Sequence, residues 1–241
     1  MPDRFGPRGV FSALIPLQNS NMQPEYERMR PEGISNQMYR FDITDTDRVS
    51  EAVLAALPGA HGCFPDMIIG SNSLELRNWS VKRQVEYCEQ FAELAKGVPF
   101  VTATEATEAA LRTMGSKRIA LISPLAEENS KSAIDYYDQT TGIEIPYSVC
   151  MKFKEAGNVI KLSVDEILKT FYEVDHDDID TFLHIGGSLG ISGMVEELEQ
   201  KLGRPVITSN SATYWYALRK HGITDPMPGF GQLLMKTEVK A

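Results

Sequence analysis

Short apolar runs alternate with amphipathic stretches along most of this chain. Val10-Phe-Ser-Ala-Leu-Ile-Pro16 reads as a buried strand, as do Asp66–Gly70, Pro99–Thr102, Arg118–Ser123, Thr181–Ile185 and Pro205–Thr208. These runs are bounded by Gly, Pro, Asn or Ser, the pattern of strands covered on both faces. Another strand is expected within Ile145–Phe153. Between them, apolar residues recur at helical spacing over Val49–Leu57, Val81–Lys96, Glu105–Met114, Lys131–Thr140, Val164–Glu173, Met194–Leu202 and Ala212–His221. Strand–helix alternation of this kind predicts an α/β protein with parallel sheets.

The pattern repeats once. Gly97-Val-Pro-Phe-Val-Thr-Ala-Thr-Glu-Ala-Thr107 matches Gly203-Arg-Pro-Val-Ile-Thr-Ser-Asn-Ser-Ala-Thr213, and an Ala-Leu-Arg and a Gly follow each. Ile15-Pro16 with Asn19-Ser20 pairs with Ser123-Pro124 with Asn129-Ser130. Asp66–Leu74 pairs with Asp180–Leu189. Three matches in the same order point to domain duplication, because the period exceeds that of solenoid repeats. The expected halves are residues 1–115 and 116–241, with the helix and tail around 212–241 packing back on the first half.

Composition narrows the functional classes. The 241 residues hold 24 Lys+Arg against 33 Asp+Glu, a formal charge of −9, with no basic cluster. Nucleic acid is therefore not an expected partner, since phosphate binding needs clustered Lys/Arg. Neither an apolar leader nor a run long enough to span a membrane is present, and the expected location is cytoplasmic. Three cysteines, Cys63, Cys88 and Cys150, suit a reducing compartment. The four histidines are scattered, and the acidic stretch Asp175-His176-Asp177-Asp178 reads as a solvated connector, so no metal site is expected.

Polar residues gather where the strands end. Gln18-Asn19-Ser20-Asn21, Ser71-Asn72-Ser73, Ala103-Thr104, Gly186-Gly187-Ser188 and Ser209-Asn210-Ser211 all follow predicted strands. Ligands of open α/β sheets bind beyond those ends. Hydroxyls, amides and free backbone N–H groups there can hold an anion without a fixed cation, and two glycines let the backbone approach closely. Each segment alone reads equally as a helix cap. Converging from two halves, they suit a small carboxylate, most naturally a dicarboxylate held at both ends.

At these residues the chain resembles the aspartate/glutamate racemase superfamily, in the branch of maleate isomerase and arylmalonate decarboxylase. Ile15–Glu25 looks like the first strand and its Asn-bearing loop, with Asn19 at a carboxylate-binding position. Ser71-Asn72-Ser73 looks like the first catalytic segment and His184-Ile185-Gly186-Gly187 like the second. Gly157-Asn158 matches a second carboxylate-binding Asn, and Gly203–Gln232 matches the last strand, helix and tail of the decarboxylase. The resemblance implies two flavodoxin-like halves, each a parallel sheet flanked by helices, with the site in the cleft between them. It also implies no cofactor and a homo-oligomer.

The chain departs from this superfamily at its thiols. Relatives place catalytic cysteines where this chain has Ser71 and Ile185, and a carboxylate-binding tyrosine at or beside Leu125. Cys63 lies at the wrong end of its strand, Cys88 on an apolar helical stripe and Cys150 on or beside a strand, so all three read as small hydrophobes. His184 faces away from Ile185 in a regular strand and reads as a satisfied core or interface histidine. Two-base racemisation and thiol-adduct isomerisation both lack their groups.

Decarboxylation depends less on a base. It needs preorganised donors for the enediolate, available from Asn72, Ser73, Gly186, Gly187 and Ser188, with the proton returned by Ser71, Glu75 or water. The first expectation is a cofactor-independent lyase acting on a small di- or oxo-carboxylate. The alternatives are a maleate-type cis-trans isomerase or racemase using Ser71 in place of Cys, and a non-catalytic carboxylate-binding protein.

Overall fold

The structure is a computed structural model that describes residues 3–43, 48–70, 72–124, 126–151 and 162–240. The first half runs β1 (Gly9–Pro16), α1 (Met22–Met29), β2 (Ile34–Phe41), α2 (Val49–Ala60), β3 (Met67–Ile69), α3 (Val81–Ala95), β4 (Phe100–Val101) and α4 (Ala103–Met114). The second runs β5 (Arg118–Ser123), α5 (Glu127–Thr141), β6 (Glu144–Cys150), α6 (Val164–Glu173), β7 (Thr181–His184), α7 (Val195–Leu202), β8 (Val206–Thr208) and α8 (Ser209–Lys220). Both sheets are four-stranded and parallel, ordered β2-β1-β3-β4 and β6-β5-β7-β8.

The two sheets share one strand order. A smaller detail repeats too. Asp66 accepts the Val10 amide at 2.9 Å at the start of β1, and Asp180 accepts the Lys117 and Arg118 amides at 2.8 and 2.9 Å at the start of β5. Both carboxylates lie at the amino ends of the strands, away from the polar loops.

Strand alternation sorts the core into three layers. Phe11, Ala13 and Ile15 of β1 and Leu183 of β7, with Ile185 just beyond it, face a central cluster shared by both sheets. The inner helices α1, α4, α5 and α8 fill that layer, with Tyr26, Tyr137, Tyr214 and Trp215 fully buried. Leu14 and Ile68 face outward onto α2 and α3, while Ile122 and Phe182 face α6 and α7.

Two elements escape the hydrophobic pattern. β2, Ile-Ser-Asn-Gln-Met-Tyr-Arg-Phe, is an edge strand with mostly half-exposed side chains, so its sequence is polar. α1 is a single short helix of eight residues whose buried positions include Glu25. The segments Ala103-Thr104 and Ser209-Asn210-Ser211, which read as ends of strands, are first turns of helices. Thr102 accepts the Glu105 amide, and Thr208 forms a reciprocal cap with Ser211. The caps are thus Thr102 and Thr208, while Thr104 and Asn210 turn their side chains to the neighbouring loops.

The chain's end crosses the inner layer. Arg219 is buried and donates to the carbonyls of Lys236, Ile223 and Asp225 at 2.8, 2.7 and 2.9 Å, and Trp215 Nε1 donates to Lys236 at 2.8 Å. Arg219→Met leaves the Ile223 and Asp225 carbonyls without that donor, so urea unfolding should show a loss of about 2 kcal/mol. An unchanged midpoint would mean that water replaces the guanidinium.

Candidate functional site

Loops from the two halves meet at the carboxyl ends of β1, β3, β7 and β8. Asn19 is buried and tied across this seam. Its Oδ1 accepts the amides of Asn21 and Met22, starting α1, and its Nδ2 donates to the Gly187 carbonyl at 2.9 Å. Asn21 Nδ2 donates to the Ser188 carbonyl at 2.5 Å. Asn210, in the first turn of α8, donates to the Gly187 carbonyl at 3.1 Å and to Glu25 Oε2 at 2.6 Å. Glu25 Oε1 accepts the Ser192 amide at 2.6 Å. A carboxylate from the first half thus organises the turn that follows β7 in the second.

That turn depends on its glycines. Gly186 has φ +93°, a conformation side chains disfavour, and a Cβ on Gly187 would lie 2.6 Å from Asn210 Oδ1. Burial raises the Glu25 pKa, against the opposing pull of Asn210 and the Ser192 amide.

The segment after β3 forms the other wall. Ser71 lies outside the described residues, as do Asn158 and Leu125. Asn72 is buried, and its amide donates to Tyr87 Oη at 2.8 Å and to Ser50 Oγ at 3.3 Å, pointing into the first half rather than across the seam. Ser73 is half-buried and precedes a 3₁₀ turn, Leu74–Leu76, which the second half touches through Asn129 Nδ2 and the Leu76 carbonyl at 3.1 Å.

Glu75 sits in this turn with no solvent exposure. The Thr104 hydroxyl accepts the Leu74 amide at 2.6 Å, which orients it to donate to Glu75 Oε2. Oε1 has no hydrogen-bond partner among the described residues. Burial pushes the carboxyl pKa up to about 7; Thr104 pulls it back and Glu108 adds to the rise. A carboxyl poised near neutrality and packed against the seam can give or take a proton.

His184 lies in the core as expected, but is not fully satisfied there. It is buried, but Nε2 has no partner among the described residues, and burial lowers its pKa to about 4, keeping the ring neutral. Burial raises the Cys88 pKa, and Cys150 pairs with Ser130 Oγ at 2.9 Å. Among the described residues no group of His, Cys, Asp and Glu is placed to hold a metal, and no helix is long and apolar enough to cross a membrane.

Glu25, Thr104 and Asn210 complete the polar seam. Asn210 and Thr104 stood among the polar strand ends, but nothing in residue spacing marked Glu25.

Two parallel four-stranded sheets sharing an inner helical layer, with polar loops meeting between them, define an α/β fold of known kind. A Cys-to-Ala variant of the maleate isomerase from Pseudomonas putida S16, solved with maleate, shares this fold: TM-score 0.82 at 18% identity, over 94% of this chain and 97% of that one. Residues 79–234 match the arylmalonate decarboxylase family, and the chain belongs to it. A maleate isomerase of Alcaligenes faecalis is 20% identical over 146 residues, covering 60% of this chain and 57% of the relative. An arylmalonate decarboxylase of Bordetella bronchiseptica is 26% identical over 145 residues, covering 58% and 59%. The chain thus matches somewhat less than two thirds of the length of these relatives, both named as enzymes.

Proposed function

We propose that this chain is a cofactor-independent lyase that decarboxylates a small di- or oxo-carboxylate, with Glu75 as its proton carrier. The buried Glu75 carboxyl, poised near pH 7 beside the seam, carries this reading. It supplies a titrating group to a chain with Ser71 and Ile185 where the resemblance puts thiols.

In the proposed reaction the bond from the α-carbon to one carboxylate breaks and carbon dioxide leaves. The electron pair delocalises into the remaining carboxylate as an enediolate. The N–H groups of the Gly186–Ser188 turn and of the Asn72–Ser73 backbone stabilise that charge. Glu75 then delivers its proton to the α-carbon and is recharged from water. Ile185, fully buried in the central cluster, gives the leaving carboxylate an apolar neighbour. Asn19 takes part by exchanging its bond to the Gly187 carbonyl for one to a substrate carboxylate.

A second reading, a carboxylate-binding protein without turnover, draws support from that same bond, because Asn19 is already satisfied within the protein. Incubation with malonate, phenylmalonate, maleate and aspartate separates the possibilities. Release of carbon dioxide from a malonate is the expected result. Maleate or aspartate converted without carbon loss would point to an isomerase or racemase acting through Ser71. Thermal stabilisation without turnover would leave the binding protein, and no response to any of the four would remove all three.

A further inference from the structure

A concavity lies outside the seam, between α3, α4 and α5. It encloses about 390 Å³, within the range of small-ligand sites. Its apolar wall includes Val81, Val85 and Cys88, and the first two are about half exposed although large and apolar. Its charged groups are all acidic: Glu89, Glu105 and Glu108. Glu105 is paired with Lys220 at 2.9 Å, and Glu108 accepts the Tyr136 hydroxyl at 2.7 Å. Glu89 has no ion-pair partner among the described residues, and no lysine or arginine lines the cavity. Gln84, a buried member of the same wall, has an amide nitrogen without a hydrogen-bond partner.

We propose that this cavity is a separate binding site for a small amphiphilic cation. The apolar body rests on Val81, Val85 and Cys88, and the ammonium group faces Glu89 and Glu108. The charge sense excludes the ligand of the seam. Uncompensated carboxylates repel a dicarboxylate and attract an amine, whereas the seam offers neutral donors suited to an anion. The two sites share Thr104, which lines the cavity and holds Glu75.

The test compares three probes with one aromatic body: tyramine, neutral 4-ethylphenol and anionic 3-(4-hydroxyphenyl)propanoate, titrated calorimetrically into the full chain. Tyramine should bind with a Kd on the order of 1 mM, ethylphenol roughly tenfold more weakly, and the anion without saturation. Glu89→Gln with Glu108→Gln should weaken tyramine about tenfold and leave ethylphenol unchanged, and Val85→Lys should abolish tyramine binding. Equal affinity for the anion, indifference to the glutamine changes, or no tyramine binding up to ~20 mM would each overturn the proposal. So would a dimer that Val85→Lys dissociates, since a second copy would then cover the cavity. Glu89→Gln alone, on an exposed helical position, controls for folding.

Discussion

Glu75→Gln will lower turnover by about 100- to 10,000-fold, the usual worth of a positioned proton carrier, while the fold persists. Glutamine keeps the volume of the buried side chain and can still accept from Thr104, but carries no transferable proton. Because the acid form is the proposed donor, the wild-type rate should fall as pH rises through about 7, the value to which burial raises this carboxyl. Stability should follow the same direction. A carboxyl at about 7 in the folded chain against 4.5 when exposed holds its proton longer when folded. Its contribution is complete below pH 4.5 and is lost as pH climbs to about 7. The swing is about 3 kcal/mol, and Glu75→Gln should remove it from a series of urea titrations. A variant with full turnover would take the proton-carrier role from Glu75. A variant with unchanged pH dependence of stability would show that the carboxyl is not buried as described.

Glu25→Ala will have the largest effect on the seam. It strands the Ser192 amide, held at 2.6 Å, leaves Asn210 only its bond to the Gly187 carbonyl, and empties space between the halves. The expected cost is about 3 kcal/mol, or roughly 9 °C in Tm for a chain of this size. The Gly186–Ser188 turn would lose the Glu25 anchor of Asn210 and keep its bonds to Asn19 and Asn21, so response to a malonate or maleate should weaken along with stability. Glu25→Gln separates the two effects. It preserves packing but places an N–H against one of two donors, so it should cost less stability than alanine and still impair the response to carboxylate. A Glu25→Ala protein with wild-type Tm would mean that the Glu25 bonds add nothing net to the joining of the two halves.

Most of the fold was legible because parallel strands covered on both faces must be continuously apolar, as in Arg118–Ser123 and Thr181–Ile185. β2 was not, since an edge strand half open to solvent has no reason to be apolar, and α1 was too short and too polar to show a stripe. The candidate site was legible in outline through its glycines and asparagines. Gly187 needs the absence of a Cβ beside Asn210, a requirement written directly into the sequence. Glu25 was hidden for the opposite reason. A glutamate on a surface helix and a glutamate buried against another half look alike until the partner that accepts it is known. Residue type placed Asn72 in the site, yet its amide turns toward Tyr87. Only three-dimensional packing decides that orientation.

The central apolar cluster belongs to neither sheet alone. Strand residues Phe11 and Leu183 and helix residues Leu111 and Trp215 come from both halves and lie in one continuous layer. Each half alone would leave its inner face uncovered, so each completes the core of the other. A chain severed near residue 115 would expose that layer on both fragments, and neither would have a complete core until it found the other.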